Sequence, residues 1–317
     1  MTVTGRSKLR PEPPAKEGNV SELEVVREVL AAAPLFGDPE DDGPIDVVAL
    51  RRSIDLLAGG LALPEGMERT EGDLGGVPTD FFTPAQAAPG VVLYLHGGGY
   101  VIGSRTSHGG IAGIIAAASG RQTALPEYRL GPEHPFPAAV DDAVAAYRGL
   151  LEVHPADRLA IAGDSAGGGL TLATLLALRE QGLPLPATGV CLSPWTDLRC
   201  TTTSMRSRAD IDPVCRAPKL RHMADLYLDG ADPTTPLASP AVADFAGLPP
   251  LLIQVGDAEV LLDDSVAVAR RARAAGGDVE LEIWDDMIHV FQAFVGLLPE
   301  ARRAVDRIGA HHDRHLS

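Results

Sequence analysis

Arg158-Leu-Ala-Ile-Ala162 is a short apolar run, Gly163-Asp-Ser-Ala-Gly167 follows it at once, and Leu170-Thr-Leu-Ala-Thr-Leu-Leu-Ala-Leu178 then reads as a helix. Together they predict a strand, a sharp turn and a helix. In that context a G-x-S-x-G sequence holds its serine at the crest of a strained turn, with the hydroxyl projecting above a sheet. The flanking glycines let neighbouring backbone approach with no Cβ in the way. A plainer alternative is a glycine-rich helix start in which Ser165 is only an N-cap. A dinucleotide-binding turn fails, because it needs G-x-G-x-x-G after the strand and the glycines at 163, 167, 168 and 169 do not fit it. Asp164 reads as structural.

Working outward, Val91-Val-Leu-Tyr-Leu95 is a continuous β-favouring run, as in a buried central strand. Two short strands are expected near 67–72 and 76–82. Beyond Leu95, strands at 122–127, 158–162, 187–192, 250–255 and 279–284 alternate with helices at 107–119, 138–152, 166–181, 261–275 and 299–310. That alternation predicts an α/β fold, a mostly parallel central sheet with helices on both faces. Residues 196–248 break the rhythm, with a helical patch near 218–228 and no strand, and read as an insertion.

At the other end, residues 1–19 are expected to be a disordered arm. Ser21 and Glu24 match a capping box, and Leu23, Val26 and Leu30 follow at helical spacing until Pro34. A second helix is expected from about Pro44 to Ala58, with Val47, Leu50, Ile54 and Leu57 on one face and Gly59-Gly60 as its stop. The chain thus divides into an arm (1–19), cap helices (20–66) and a core (67–317), with 196–248 contributing to the cap. A cap so built covers the C-terminal edge of the sheet, where ligands bind in open α/β folds.

His96-Gly-Gly-Gly99 follows the Leu95 strand. Consecutive glycines let a loop aim backbone N–H groups at one point, which suits a developing oxyanion. Gly97 and Gly98 are the expected donors, with Ala166 as a third, and His96 is expected to buttress the loop. The simpler alternative is an ordinary glycine-rich turn. A serine hydroxyl needs a base and an orienting carboxylate, and where the serine sits on a G-x-S-x-G strand-to-helix turn these follow it in the order acid then histidine. Carboxylates cluster at Asp257, Glu259, Asp263 and Asp264, and His289 comes after them. His108, His134, His154 and His222 precede this cluster, and His311, His312 and His315 fall in an expected frayed tail.

The glycine loop and the serine turn resemble those of the hormone-sensitive-lipase-like branch of the α/β-hydrolases. Between them, Tyr128-Arg-Leu-Gly-Pro-Glu-His-Pro-Phe-Pro-Ala-Ala139 is similar to that family's Y-R-L-A-P-E-H-P-F-P-A-A stretch, with Gly131 for the usual Ala. The likeness covers roughly residues 75–310. It implies an α/β-hydrolase core, a helical cap, esterase activity on small acyl esters, no cofactor, no metal, and in some relatives pairing of two copies through an edge strand. It further implies that Asp285-Asp-Met-Ile-His-Val-Phe-Gln292 is the histidine loop. Setting Leu261 and Asp263 on the family's D-x-L-x-D pattern places Glu259 where its acid Asp stands, with Asp257 as runner-up and Asp197 as a remote third. The implied set is Ser165, Glu259 and His289. A lactone hydrolase with the same residues is the alternative, followed by a peptidase and by a non-catalytic receptor for small molecules, a role in which the histidine is typically lost.

Bulk composition narrows the partners. The formal net charge of −16 repels phosphate backbones and anionic surfaces, so nucleic acid is not an expected partner. Three cysteines without C-x-x-C spacing point to reduced thiols and a cytoplasmic setting. No signal peptide and no membrane span are expected.

Overall fold

The computed structural model describes residues 21–32, 43–59 and 62–316; the expected arm at 1–19, Pro34 and Gly60 lie outside them. Helix α1 (Glu22–Ala32) opens with the expected capping box: Ser21 Oγ accepts the Glu24 N–H at 3.2 Å and Glu24 Oε2 accepts the Ser21 N–H at 2.8 Å. Helix α2 (Val47–Ala58) starts later than expected because Asp46 caps it through the Ala49 N–H. Leu50 and Ile54 of α2 are buried, whereas Leu57, expected on the same face, is 54% exposed.

Eight strands follow in chain order: β1 (Met67–Leu74), β2 (Val77–Pro84), β3 (Ala88–Leu95), β4 (Arg121–Pro126), β5 (Leu159–Asp164), β6 (Thr188–Leu192), β7 (Leu251–Gly256) and β8 (Val279–Trp284). They form one sheet in the order β1-β2-β4-β3-β5-β6-β7-β8. β1 and β2 make an antiparallel hairpin, β2 joins β4 antiparallel, and all other neighbours are parallel. The α/β fold with a mostly parallel sheet expected from the alternation is the one observed.

The connecting helices are α3 (Arg105–Ser119), α4 (Ala138–Leu151), α5 (Ala166–Glu180), α6 (Ser204–Ser207), α7 (Ala217–Leu228), α8 (Leu262–Ala274) and α9 (Pro299–His315). Strand periodicity splits the core into two layers. Val91, Leu93 and Leu95 of β3 join the larger cluster with Leu170 and Leu175 of α5. Val92 and Tyr94 join the other, with Ile111 and Ile115 of α3 and Ile308 of α9. Each such side chain contributes roughly 1.5–3 kcal/mol when fully buried. Because β4 lies on one side of β3 and β5 on the other, the chain order reverses at β3. The crevice above that point receives the loops after β3 and β5, the usual ligand position in open sheets.

Two further outcomes concern the edges. Residues 196–248 hold α6 and α7 and no strand, as expected, and they are fastened to the start of α8. Asp264 accepts the N–H groups of Thr196 and Asp197, each at 2.9 Å, and Asp263 accepts that of Ser204 at 2.8 Å. Burial raises Asp264 to about 7. The expected fraying near the C-terminus is corrected: α9 continues to His315, with His311 and His312 buried, because its apolar stripe packs against α3. His311 Nε2 lies 2.7 Å from Thr188 Oγ1, and burial first of all lowers both histidines to about 3, so they are neutral. Among the described residues, no helix is long and apolar enough to cross a membrane and no group of His, Cys, Asp and Glu is placed to hold a metal ion. Cys191, Cys200 and Cys215 are free thiols and buried.

Candidate active site

Ser165 stands between β5 and α5 with φ 53° and ψ −120°, a conformation that L-residues rarely adopt. Three backbone bonds hold it there: its N–H donates to Leu192 O, and its carbonyl accepts from Trp195 and Gly169. The neighbouring glycines are required by contact. A methyl at Gly163 would meet the Gly167 carbonyl, and one at Gly167 would meet the Leu95 carbonyl. The Ser165 side chain makes no N-cap bond, so the capping alternative does not describe it.

His289 lies in the loop between β8 and α9, and its Nδ1 is 2.7 Å from Glu259 Oε2. A carboxylate only accepts, so Nδ1 donates to it, and in the neutral ring Nε2 is the nitrogen left to take up a proton. The second oxygen, Oε1, accepts from Ser193 Oγ and from the Gly256 N–H, both at 2.7 Å. Burial acts to lower the His289 pKa, but the adjoining Cys215 and the Glu259 carboxylate act the other way, and the net direction is well above the ordinary value. Burial pushes the Cys215 thiol itself up to about 11. It therefore stays protonated at neutral pH, and the lasting charge beside His289 is that of Glu259. Asp257, the runner-up, directs its carboxylate to the Asp286 N–H at 2.7 Å. Asp197 is held in a bidentate pair by Arg199, at 2.6 and 2.8 Å.

The glycine loop requires one correction. The Gly97 N–H, expected to face a developing oxyanion, donates to Asp164 Oδ1 at 3.1 Å. The N–H groups of Gly98, Gly99 and Ala166 make no hydrogen bond among the described residues. The sequence alone does not tell the three consecutive glycines apart; the Asp164 carboxylate does, by taking the N–H of the first. The same carboxylate oxygen accepts Tyr94 Oη at 2.8 Å. Gly98 has φ 115°, open to glycine alone, and a methyl there would run into Ile102 O. His96 buttresses the loop as expected: its Nδ1 donates to Gly97 O at 2.7 Å, its ring stacks on Tyr128 at 4.1 Å, and burial lowers it to about 3.

The 128–139 stretch is scaffolding for this loop. Tyr128 Oη donates to His96 O at 2.7 Å. Arg129 grips Asp142 with a bidentate pair, and Arg51 of α2 reaches Gly131 O and Glu133, each at 2.8 Å. Gly131 has a steric reason: a Cβ there would lie 2.9 Å from Leu226 O of α7.

Ser165, His289 and Gly98 line one cavity of about 150 Å³. Its apolar wall combines Leu30 of α1, Ile54 of α2, Ile111 of α3, Val214 of the insertion and Phe294. Sequence order set His108 aside, yet its ring is part of this wall, with Nδ1 2.9 Å from Ser107 Oγ and Nε2 3.7 Å from Asp164 Oδ2. The missed signal was position: the first turn of a helix that follows the glycine loop must face the site.

Comparison with known proteins bears on the fold and the family. Residues 92–293 match a family model described as the alpha/beta hydrolase fold. An acetyl-hydrolase of Streptomyces hygroscopicus is 47% identical over 80% of this chain and 84% of its own. An esterase of Acinetobacter venetianus is 34% identical over 73% of this chain and 77% of its own. The crystal structure of an esterase from the bacterial hormone-sensitive lipase family superposes with a TM-score of 0.88 at 44% identity, covering 93% of this chain and 98% of that one.

Proposed function

Because the chain belongs to the hormone-sensitive-lipase-like esterases of the α/β-hydrolase fold, we propose that it is a carboxylic ester hydrolase working through Ser165, His289 and Glu259. The observation that carries the reading is the buried Glu259–His289 pair at 2.7 Å, which places the proton of the neutral ring on Nδ1 and so makes Nε2 the basic nitrogen, in the cavity that Ser165 also lines. In this mechanism His289 Nε2 takes the Ser165 proton as Oγ attacks the acyl carbon, and Glu259 stabilises the imidazolium. The N–H groups of Gly98, Gly99 and Ala166 receive the oxyanion, each donor being worth about 10²–10³ in rate. His289 then protonates the leaving alcohol, which departs and leaves an acyl group on Ser165. Water deprotonated by His289 releases the acid and restores the hydroxyl.

The cavity of about 150 Å³, walled by Leu30, Ile54, Ile111, Val214 and Phe294, supports short acyl chains. Retention of His289 argues against a receptor role. Hydrolysis of p-nitrophenyl acetate, butyrate, octanoate and palmitate by wild type and Ser165→Ala tests the reading. Turnover that peaks at short chains and disappears in the variant is expected. Folded wild type that neither hydrolyses any ester nor reacts with a fluorophosphonate would overturn it.

A further inference from the structure

We propose that Ser193 is a positioning residue that holds the acid arm of the site, an inference resting on the Ser165–His289–Glu259 reading above. Ser193 is fully buried, does not line the cavity, and follows β6 with φ 45°. Its N–H donates to Gln254 O at 2.7 Å, which extends the β6–β7 ladder by one residue and fixes its backbone. From that fixed point one hydroxyl serves two partners. Ser193 Oγ donates to Glu259 Oε1 at 2.7 Å and accepts the Val290 N–H at 3.1 Å. Val290 is the residue after His289 and is itself held at φ 50°. A single side chain therefore joins the acid to the backbone that carries the base, across three chain segments.

The need for such a joint follows from Glu at this position. Glu has one more torsion than Asp, and its last torsion is broad and roughly two-fold. The Gly256 N–H at 2.7 Å anchors Oε1 from one direction only. The Ser193 hydroxyl is a second, directional donor, and together the two leave Oε2 aimed at His289 Nδ1. Without it the carboxylate keeps its charge but loses the orientation that fixes the imidazole tautomer and plane. Ser193 touches no substrate, so its removal should affect turnover and not binding.

The test is a double-mutant cycle on a p-nitrophenyl ester of short chain, with melting temperatures taken throughout. Ser193→Ala is expected to lower kcat about 10- to 100-fold, the size of one hydrogen bond to a charged group, with KM within about twofold. In a Glu259→Gln background the same substitution should cause no further loss, because the oriented carboxylate is already gone. A hydroxyl that merely supports the fold would lower kcat equally in both backgrounds, and that outcome overturns the proposal, as does a Ser193→Ala enzyme with wild-type kcat. Ser193→Cys, close in size and a weaker donor, should fall between the two if Ser193→Ala fails to fold; full activity in Ser193→Cys would equally overturn it. The arms separate the two levels of inference. If Ser165→Ala or Glu259→Gln retains wild-type turnover, the underlying reading has failed; if only Ser193→Ala does, the positioning role alone has.

Discussion

Glu259→Asp is the substitution that the resemblance would rank as harmless and the geometry ranks as severe. Removing one methylene withdraws the carboxylate by somewhat less than a C–C bond length, roughly 1.3 Å. The 2.7 Å contact between Oε2 and His289 Nδ1 would then open to about 4 Å, beyond any hydrogen bond. The Oε1 bonds to Ser193 and Gly256 would stretch in the same way. The backbone cannot advance to compensate. The Val260 N–H is held by Asp212 Oδ2 at 2.8 Å, and the Val260 carbonyl accepts Ser204 Oγ at 2.6 Å. A negative charge would remain nearby, so Glu259→Asp should cost less than Glu259→Gln. For the neutral amide the expected fall in kcat is about 10³–10⁴, the size seen when a triad acid is neutralised in place. For the shortened acid it is about 10²–10³. Steady-state kinetics on p-nitrophenyl butyrate at pH 8, with circular dichroism to confirm folding, would measure both. A Glu259→Asp enzyme within threefold of wild-type kcat would refute the reasoning, because it would mean that the acid loop slides or that another carboxylate does the work.

Four other outcomes are expected. His289 must be neutral to act, and against the lowering effect of burial Cys215 and Glu259 together raise its pKa, so kcat/KM should climb with pH with a midpoint above the ordinary histidine value of about 6.5. Removing the charge in Glu259→Gln should move that midpoint to lower pH while the plateau falls; a pH-independent profile from 5 to 9 would contradict this. Gly98→Ala forces the loop away from Ile102 O and should reduce kcat by about 10²–10³ through loss of an oxyanion donor, read as kcat at saturating ester. Gly131→Ala restores the residue more usual in the resembling stretch, but its methyl would press on Leu226 O and should destabilise by about 1–3 kcal/mol, the cost of overpacking, measured by urea unfolding. Val214→Phe enlarges a wall of the cavity and should cut turnover of octanoate by at least about tenfold more than that of acetate; equal losses would place Val214 away from the acyl chain.

The architecture was legible because it is written in periodicity. Runs such as Val91–Leu95 and Leu159–Ala162 are apolar throughout because both sheet faces are covered, and glycines and prolines mark the turns between them. Ser165 and His289 were legible because each sits in a local motif. What escaped the sequence were relations between distant segments. Nothing in His96-Gly-Gly-Gly99 says that Asp164, 67 residues away, takes the Gly97 N–H. Nothing in the order of the histidines says that α3 turns His108 into the cavity. Ser193 lies 66 residues from Glu259 and 97 from Val290, and only the sheet register brings the three together.

The net charge of −16 was legible only as a number, and its placement changes its meaning. Read as surface charge it speaks of solubility. Yet Asp164, Asp212, Glu259 and Asp264 are all buried, and each accepts at least one backbone N–H rather than pairing with lysine or arginine. Asp212 shows what this achieves. Its Oδ1 accepts from Val214 and Cys215 in the insertion, at 2.8 and 2.9 Å, and its Oδ2 accepts from Val260 beside Glu259 at 2.8 Å. Asp264 joins the insertion to α8 in the same manner. A carboxyl group that meets backbone donors from two segments fixes their relative position without long, flexible cationic side chains, and its bonds are stronger than neutral ones when it is ionised. Asp212 therefore ties Val214, a wall residue of the cavity, to the segment that carries Glu259.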